Sequence, residues 1–337
     1  MKKIDHSIVG KILDLIVEND LLISEAALEK DFIVTDVLRA ISEIRNDQLD
    51  LVFCGGTCLS KAYGLLDRIS EDVDIKVVSK PGIVLSNNQR RNAISQLKKQ
   101  IISTLVGVGF SESEINTTAL DGNTYVVFNA EYATHFTFNS TLRPHLKLEL
   151  NSTHLSHPSV NLDIGLLIRK LSNESDPDVF SMPCVHMQEA LVEKMVSFPR
   201  RLAMHLSNPS KYKFDNALVR HIFDIYQIAK THQNFTNNAE LQPLILKVLD
   251  KDAKDFAHQY PKFLASPINE IKNAIKVAES NSEYKVMYDN FVDVMVYGKD
   301  SPSFSEAINC FKDILVPALP PENTNFLQYA KKNEPSP

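Results

Sequence analysis

The chain contains no tryptophan and only 10 glycines among its 337 residues. So little glycine argues against a glycine-rich β architecture. No stretch reaches the about 18 consecutive apolar residues that a membrane-spanning helix requires. At the N-terminus, Asp5 and His6 interrupt any apolar region behind the two lysines, so a secretory signal peptide is not expected. We therefore expect a cytoplasmic protein without a membrane partner.

The chain also lacks paired cysteines and an excess of positive charge. The four cysteines form no CxxC pair and have no zinc-type spacing, which predicts reduced thiols in the core of a cytosolic protein. They are Cys54, Cys58, Cys184 and Cys310. Lys and Arg total 36 against 42 for Asp and Glu, a formal net charge of −6. This balance argues against a protein that coats nucleic acid by charge alone, although an RNA substrate requires only a local basic patch.

The chain has enough hydrophobic residues to form a substantial core. Hydrophobic residues make up 44% and charged residues 23%, as in ordinary globular proteins. The length allows about two domains of roughly 150 residues each. The pattern along the chain predicts a helical lead-in over 1–48, an α/β core over 49–168 and a helical C-terminal lobe over 169–337. The predicted fold class is mixed α/β.

Strand and helix patterns alternate in the predicted core. LDLVFC, residues 49–54, is a short apolar run bounded by Gly55 and Gly56, which predicts a buried strand. A helical pattern follows up to Asp67, and VDIKVV, residues 73–78, predicts a second strand because it alternates and is rich in β-branched residues. The other predicted elements are helical structure over 8–45 with Ser24 as an N-cap, a helix over 90–109 that ends at Gly107 or Gly109, strands at 123–130, 134–139, 145–151 and 160–168, helices from about 186, and a polar tail from Pro317.

Asp72 and Asp74 are the first part of a candidate site. At positions i and i+2 of a strand they share a face, with Cβ atoms roughly 7 Å apart. That separation lets both carboxylates bind metal ions about 4 Å apart. Mg²⁺ prefers hard oxygen ligands, and one or two carboxylates together with substrate phosphates supply them. An isolated Asp-x-Asp is ordinarily a solvated strand end, so its neighbours decide its meaning.

The glycine pair before the predicted helix is the second part. Free backbone N–H groups at the start of a helix favour an anionic phosphate. Thr57 can cap that helix and offer a hydroxyl, and Ser60 and Lys61 lie within about its first turn. By themselves, Gly55 and Gly56 would indicate only a turn that needs backbone freedom. With the aspartates on the next strand, they predict a phosphate cradle beside a metal site.

Glu149 offers a third carboxylate. In HLKLELN it lies on the face opposite to that of the alternating leucines. In nucleotidyl transfer, such a carboxylate would complete the metal site or accept the proton of the attacking hydroxyl. The alternative is an exposed polar strand face.

GGTCLSKAYGLLDRISEDVDI, residues 55–75, resembles the first motif of the AbiEii/AbiGii nucleotidyltransferase toxins of the polymerase-β-like superfamily. That family typically reads GGT-x-L-S-K-x-(Y/F), then R-x-S-E-D-(I/L)-D-L. The matching positions are Gly55, Gly56, Thr57, Leu59, Ser60, Lys61, Tyr63, Arg68, Ser70, Glu71, Asp72 and Asp74. The resemblance implies a minimal nucleotidyltransferase core with a mixed sheet. It also implies that Asp72 and Asp74 bind Mg²⁺ and that Gly55, Gly56, Thr57, Ser60, Lys61 and Arg68 bind the nucleotide.

Three further segments extend the resemblance over roughly residues 28–230. EKDF at 29–32 is similar to the family's EKD-aromatic lead-in, and MQEALVEKMVSF resembles its E-x4-K motif through Glu189 and Lys194. RHIFDIYQI resembles its R-D-x-x-D-(L/I)-(Y/W) helix at Arg220, Asp224 and Tyr226. The chain departs from this last motif at one position, where His221 replaces the first acid.

The residues alone leave the roles of the later motifs open. Lys194 on an apolar helix face needs an anionic partner, and a triphosphate, Glu189, Glu193 or Asp224 would each serve. Arg220 and Asp224 at i and i+4 would form an ordinary intrahelical ion pair. With the resemblance, Lys194 is expected to contact the triphosphate. The catalytic candidates are then Asp72, Asp74, Glu149, Lys194 and Asp224.

The resemblance implies a magnesium-dependent nucleotidyltransferase that moves a nucleoside monophosphate from an NTP to an acceptor hydroxyl. It further implies a toxin of a bacterial toxin–antitoxin or phage-defence system, with the acceptor end of tRNA as the substrate of some members. The expected partners are an NTP, an RNA acceptor and a cognate antitoxin. Two alternatives stay open: modification of a small molecule or protein side chain, and a non-catalytic nucleotide-binding protein.

Overall fold

The structure, a computed structural model, describes residues 1–19, 23–137, 142–167, 178–232, 241–298 and 300–321. The chain divides into two compact units, Met1–His186 and Met187–Pro337. The first unit contains a β-sheet with helices, and the described part of the second is almost wholly helical. The predicted mixed α/β fold class is confirmed.

In its described part, the N-terminal unit has four α-helices. These are α1 (His6–Asn19), α2 (Glu25–Ser42), α3 (Gly55–Lys61) and α4 (Asn87–Gly107). The Ser24 side chain accepts a hydrogen bond from the Ala27 N–H, which confirms the predicted N-cap of α2. Helix α3 is shorter than predicted and ends at Lys61 rather than near Asp67. A positive φ of 66° at Gly64 takes the backbone out of the helical region.

Seven strands of the described residues form one mixed sheet. They are β1 (Leu49–Cys54), β2 (Asp72–Ser79), β3 (Ile115–Leu120), β4 (Tyr125–Glu131), β5 (His145–Ser152), β6 (Val160–Ile164) and β7 (Phe180–Cys184). Their order is β3-β4-β5-β2-β1-β7-β6. The pairs β2–β5 and β1–β7 are parallel and the others are antiparallel.

Four strand predictions differ from the structure, and one of them is the strand predicted over 160–168, which ends at Ile164. Strands β3 and β7 were not predicted, because β3 is an exposed edge strand without an apolar face and β7 is only five residues long and contains Pro183. Residues 134–137 of the predicted strand 134–139 are not in a strand, and residues 138–139 lie outside the described part. The Glu29 carboxylate binds this segment through the His135 N–H at 2.9 Å, so its backbone is paired with α2 rather than with a strand.

The central strands have one buried and one polar face. On β5 the leucines are buried while Lys147 and Glu149 are half-buried, which confirms the predicted alternation. On β2, Val73 and Ile75 are buried while Asp72 and Asp74 are half-buried. Strand alternation and the register therefore place the carboxylates on one face.

The described part of the C-terminal unit has seven α-helices. These are α5 (Met187–Ser207), α6 (Arg220–Thr231), α7 (Leu241–Asp255), α8 (Pro261–Ala265), α9 (Pro267–Ser280), α10 (Ser282–Met295) and α11 (Phe304–Ala318). Helix α5 packs against α7 and α9, and α6 packs against α11. The predicted start of the tail at Pro317 is wrong, because Pro317 lies in the last turn of α11. Among the described helices, none combines the length and apolar composition required to cross a membrane.

The cysteines are free thiols. Cys54, Cys58 and Cys184 are buried, and Cys310 is half-buried. Burial raises the pKa of the Cys58 thiol well above its usual value, so this side chain is un-ionised at neutral pH. The predicted role as core thiols is confirmed for the three buried cysteines.

Candidate active site

The turn between β1 and α3 brings the backbone into direct proximity with a carboxylate. Gly55 has a positive φ of 77°, and a Cβ added there would collide with the Asp74 carboxylate. A Cβ on Gly56 would lie 2.6 Å from Nη2 of Arg68. Both glycines are therefore required by close approach as well as by the turn, and Asp74 lies directly beside the first of them.

Substituting Gly55 by alanine is expected to abolish nucleotidyl transfer, because the added methyl group would displace the Asp74 carboxylate. The positive φ adds a cost of about 1 kcal/mol in the free energy of unfolding. Gly64→Ala is the matched control, since Gly64 also has a positive φ but has open space around it. We expect Gly55→Ala to lower the unfolding free energy more than Gly64→Ala in urea denaturation, because only the methyl group on Gly55 collides with Asp74, and we expect loss of transfer by the folded protein only in Gly55→Ala. Equal activities would show that the position of the Asp74 carboxylate is irrelevant to transfer.

Thr57 connects α3 to β2. Its hydroxyl donates a hydrogen bond to the Asp72 carbonyl oxygen and lies 2.8 Å from the Ser70 hydroxyl. The residue before α3 is Cys54, which makes no side-chain cap, so the expected capping role of Thr57 is wrong. Thr57 instead holds the backbone that carries Asp72. Ser60, the other predicted hydroxyl, is buried in the same helix.

Lys61 binds three acceptors within the N-terminal unit. Its ammonium group lies 2.6 Å from Oδ1 of Asp31, 2.8 Å from the Thr35 hydroxyl and 3.2 Å from the Gly165 carbonyl oxygen. An ammonium group has three donors, and all three are used here. The structure therefore places Lys61 in an internal contact between α3 and α2, whereas the resemblance assigned it to the nucleotide.

Arg68 is also buried, and its guanidinium lies next to Gly56 of the glycine turn. The guanidinium donates a hydrogen bond to the Ile69 carbonyl oxygen at 2.9 Å. Its contacts support the shape of the turn.

The two carboxylates of β2 lie beside the single carboxylate of β5, Glu149, on the polar face. In the parallel register Asp72 is opposite Lys147, and Asp74 is opposite Glu149. The ammonium of Lys147 forms an ion pair with Glu149, and Nη1 of Arg143 lies 2.5 Å from Oδ1 of Asp72. These side chains are 20–29% exposed, so solvent and ligands can reach them.

The donor set of this face fits a magnesium ion that is shared with a substrate. Asp72 and Asp74 supply the hard carboxylate oxygens that Mg²⁺ prefers. Within the described ranges, no group of three or more His, Cys, Asp or Glu side chains is close enough to hold a metal. Two carboxylates complemented by phosphate oxygens are the arrangement that Mg²⁺ commonly adopts with nucleotides.

A buried ion pair joins α2 to the residue just before β2. Nζ of Lys30 lies 2.7 Å from Oε2 of Glu71, and both side chains are almost inaccessible. Lys30 also donates hydrogen bonds to the carbonyl oxygens of Arg143 at 2.6 Å and His145 at 3.1 Å. Burial lowers the pKa of Lys30, and the adjacent Glu71 carboxylate opposes that effect. One lysine thus positions the starts of both β2 and β5.

The neighbours of Lys30 on α2 bind other segments of the same unit. Glu29 accepts a hydrogen bond from the Thr134 hydroxyl at 2.5 Å, and Asp31 accepts one from the Leu167 N–H at 2.7 Å. The sequence marked Glu29–Phe32 only by resemblance. The structure gives the physical reason for its run of charges, because each charged side chain is buried and binds a different segment of the N-terminal unit.

In the C-terminal unit, Lys194 of α5 is paired with Asp224 of α6. The distance between Nζ and Oδ2 is 2.9 Å, and Asp224 is fully buried. Of the anionic partners that the sequence left open for Lys194, the structure shows Asp224. The guanidinium of Arg220 lies 5.9 Å from the centroid of the Phe291 ring. Glu189 is buried in the same helix as Lys194.

Sequence reasoning missed two cations of the site, Arg143 and Lys147. A signal for Lys147 was present, since the alternation of HLKLELN puts it on the same face as Glu149. Arg143 lies outside any strand, so its contact with Asp72 depends on the path of the backbone before β5.

The fold of this chain is similar to that of a nucleotidyltransferase toxin. The chain is similar in structure to MenT4, a nucleotidyltransferase toxin from Mycobacterium tuberculosis H37Rv, with a TM-score of 0.53 and 16% sequence identity over 97% of this chain and 94% of that chain. The profile of the AbiEii family, described as nucleotidyl transferase toxins of type IV toxin–antitoxin systems, matches residues 36–310. The chain therefore belongs to the AbiEii family and is a nucleotidyltransferase. No curated protein sequence matches it.

Proposed function

We propose that this nucleotidyltransferase transfers a nucleoside monophosphate from a magnesium-bound NTP to a hydroxyl of an RNA, namely the acceptor end of tRNA. The observation that supports the proposal is the close approach of the Asp74 carboxylate to Gly55. Gly55 belongs to the glycine turn of the family motif, so a carboxylate that could hold Mg²⁺ lies beside the turn that would bind the phosphates. Modification of the acceptor end would stop translation, as expected of a toxin. A cognate antitoxin would be its protein partner.

The nucleotide site is assigned to the β1–α3 turn and its supports. The backbone of Gly55 and Gly56, with Thr57 and Ser60 behind it, would receive the phosphates. Lys61 and Arg68 would act indirectly, because their contacts lie within the protein and maintain α3 and the turn. Asp72 and Asp74 would hold Mg²⁺, which when bound neutralises phosphate charge.

The chemical step needs little from the protein beyond positioning and proton removal. The acceptor oxygen forms a bond to the α-phosphorus, the bond from that phosphorus to the bridging oxygen breaks, and pyrophosphate leaves with the bonding electron pair. Glu149, on the same face as Asp74, would accept the proton of the attacking hydroxyl. Lys194 and Asp224 are proposed as functional residues on the basis of the family motifs, with Lys194 as a triphosphate ligand.

Incorporation of label from each α-³²P-NTP into total RNA and total protein, with Mg²⁺ present, tests the proposal. We expect labelled RNA of tRNA size that is absent when Asp74→Ala replaces the wild type. Labelled protein would instead indicate modification of a side chain. Absence of label from both pools would refute the RNA acceptor. It would leave two alternatives, a small-molecule acceptor and a protein that only binds nucleotide. Both alternatives require NTP binding, which calorimetry would measure.

A further inference from the structure

Lys147 is a half-exposed cation on the polar face of the sheet. It lies opposite Asp72 in the parallel register between β5 and β2, and its ammonium pairs with Glu149 on its own strand. Its side chain is 26% exposed. Glu149 is 20% exposed, so the ammonium of Lys147 and its carboxylate partner can both be reached by an incoming anion.

The strand order places Lys147 on one particular side of the aspartates. Strand β2 lies between β1 and β5 in the sheet. The turn at Gly55 and Gly56 leaves β1 beside Asp74, while Lys147 lies on β5. The carboxylates thus separate the glycine turn from Lys147.

In-line phosphoryl transfer requires the NTP and the acceptor to lie on different sides of the aspartates, one on the side of the glycine turn and the other on the side of Lys147. The attacking oxygen and the leaving oxygen lie on opposite sides of the phosphorus atom. In the proposed function, on which this inference rests, the leaving pyrophosphate is at the β1–α3 turn. The attacking hydroxyl therefore approaches from the β5 side. We propose that Lys147 binds a phosphate of the acceptor, which is a nucleic acid strand whose 3′ end lies along the polar face of β5 and β4.

The surface beyond Lys147 has the side chains that a single strand requires. Asn151 is exposed on the same face of β5, and the half-exposed Tyr125 of β4 lies opposite it in the antiparallel register. Asn129 of β4 lies opposite Lys147. An aromatic ring stacks on bases, amides bind base edges, and an ammonium binds the backbone phosphate. Arg143 is a second cation beside this surface, near Asp72.

Binding of RNA to the full chain tests this inference without requiring catalysis. The probe is a fluorescein-labelled single-stranded RNA with a free 3′-hydroxyl, followed by anisotropy in the absence of NTP. We expect Lys147→Gln to raise the Kd for this RNA roughly tenfold, since a charge-assisted hydrogen bond is lost. The slope of log Kd against log salt concentration should fall by about 1. NTP affinity, measured by calorimetry, should stay unchanged.

Two variants serve as controls. Lys99→Gln removes the same charge from an exposed position of α4 and should leave the Kd for RNA unchanged. Lys147→Arg keeps the charge and should retain most of the affinity. In turnover with RNA and NTP, Lys147→Gln should raise KM for RNA and leave KM for NTP unchanged.

The inference is overturned if Lys147→Gln leaves RNA binding as in the wild type, whether or not it weakens NTP binding. It is also overturned if the wild type does not bind the RNA. Failure of the proposed function has a different signature, namely wild-type protein that labels no RNA from any NTP. The two failures are therefore distinguishable.

Discussion

Replacing Asp74 by asparagine is expected to reduce nucleotidyl transfer by about a thousandfold, equivalent to about 4 kcal/mol in transition-state free energy. Asparagine keeps the size of the side chain and removes the charge that would hold Mg²⁺. The fold should be unaffected, because the substitution also relieves repulsion from Asp72 and Glu149 on the same face. Initial rates of transfer from labelled NTP at saturating Mg²⁺ measure the effect.

The matched control for this prediction is Asp50→Asn. Asp50 is a half-buried aspartate of β1 and lies opposite Val78, four residues along β2 from Asp74, or about 13 Å. Its substitution makes the same chemical change within the same sheet and should leave transfer unchanged. Full activity of Asp74→Asn, with Mg²⁺ present, would show that the proposed metal site is wrong.

Replacing Lys30 by methionine is expected to lower the free energy of unfolding of the N-terminal unit by about 3–5 kcal/mol. The substitution leaves the Glu71 carboxylate buried without its ammonium partner and removes the donor to two backbone carbonyl groups. Urea denaturation followed by circular dichroism measures the loss. Because the chain has two compact units, the transition of the N-terminal unit must be identified separately.

Two further variants show whether charge causes this loss. Adding Glu71→Gln to Lys30→Met removes the buried carboxylate charge, which in Lys30→Met keeps a cation only at the 3.5 Å distance of Nη1 of Arg143, so the double variant should be more stable than Lys30→Met alone. Lys2→Met breaks the more exposed pair between Lys2 and Asp36 and should cost less than about 1 kcal/mol. Equal instability of the single and double variants would attribute the loss to packing instead.

The candidate site was predictable where local pattern determines position. The apolar run before Gly55 and the alternation around Asp74 predicted the two strands, and strand geometry then put Asp72 and Asp74 on one face. The third carboxylate followed in the same way, since the leucines of β5 are buried and Glu149 is not. These predictions needed no knowledge of which strands are neighbours.

Elements with weak patterns were not predictable in this way. Strand β3 carries no buried side chain, and β7 is five residues long with a proline, so neither has the periodicity by which strands are found. The helical pattern continues beyond Lys61, but α3 ends there with Ala62 as its C-cap, and Gly64 then has a positive φ. The helical propensity of residues 62–67 therefore did not decide the conformation of that segment.

The sequence by itself determined the family to which the chain belongs, and it contains the glycine pair and the aspartates of the family motif. Only the tertiary structure decided which charges are paired. Lys61 was a plausible phosphate ligand from its position in the motif, yet its ammonium is bound by Asp31 of α2. Lys147 pairs with Glu149 of its own strand and lies opposite Asp72 of the adjacent strand β2. The physical reason is that ion pairing depends on distances between segments far apart in sequence, and those distances exist only after the sheet and α2 have packed together.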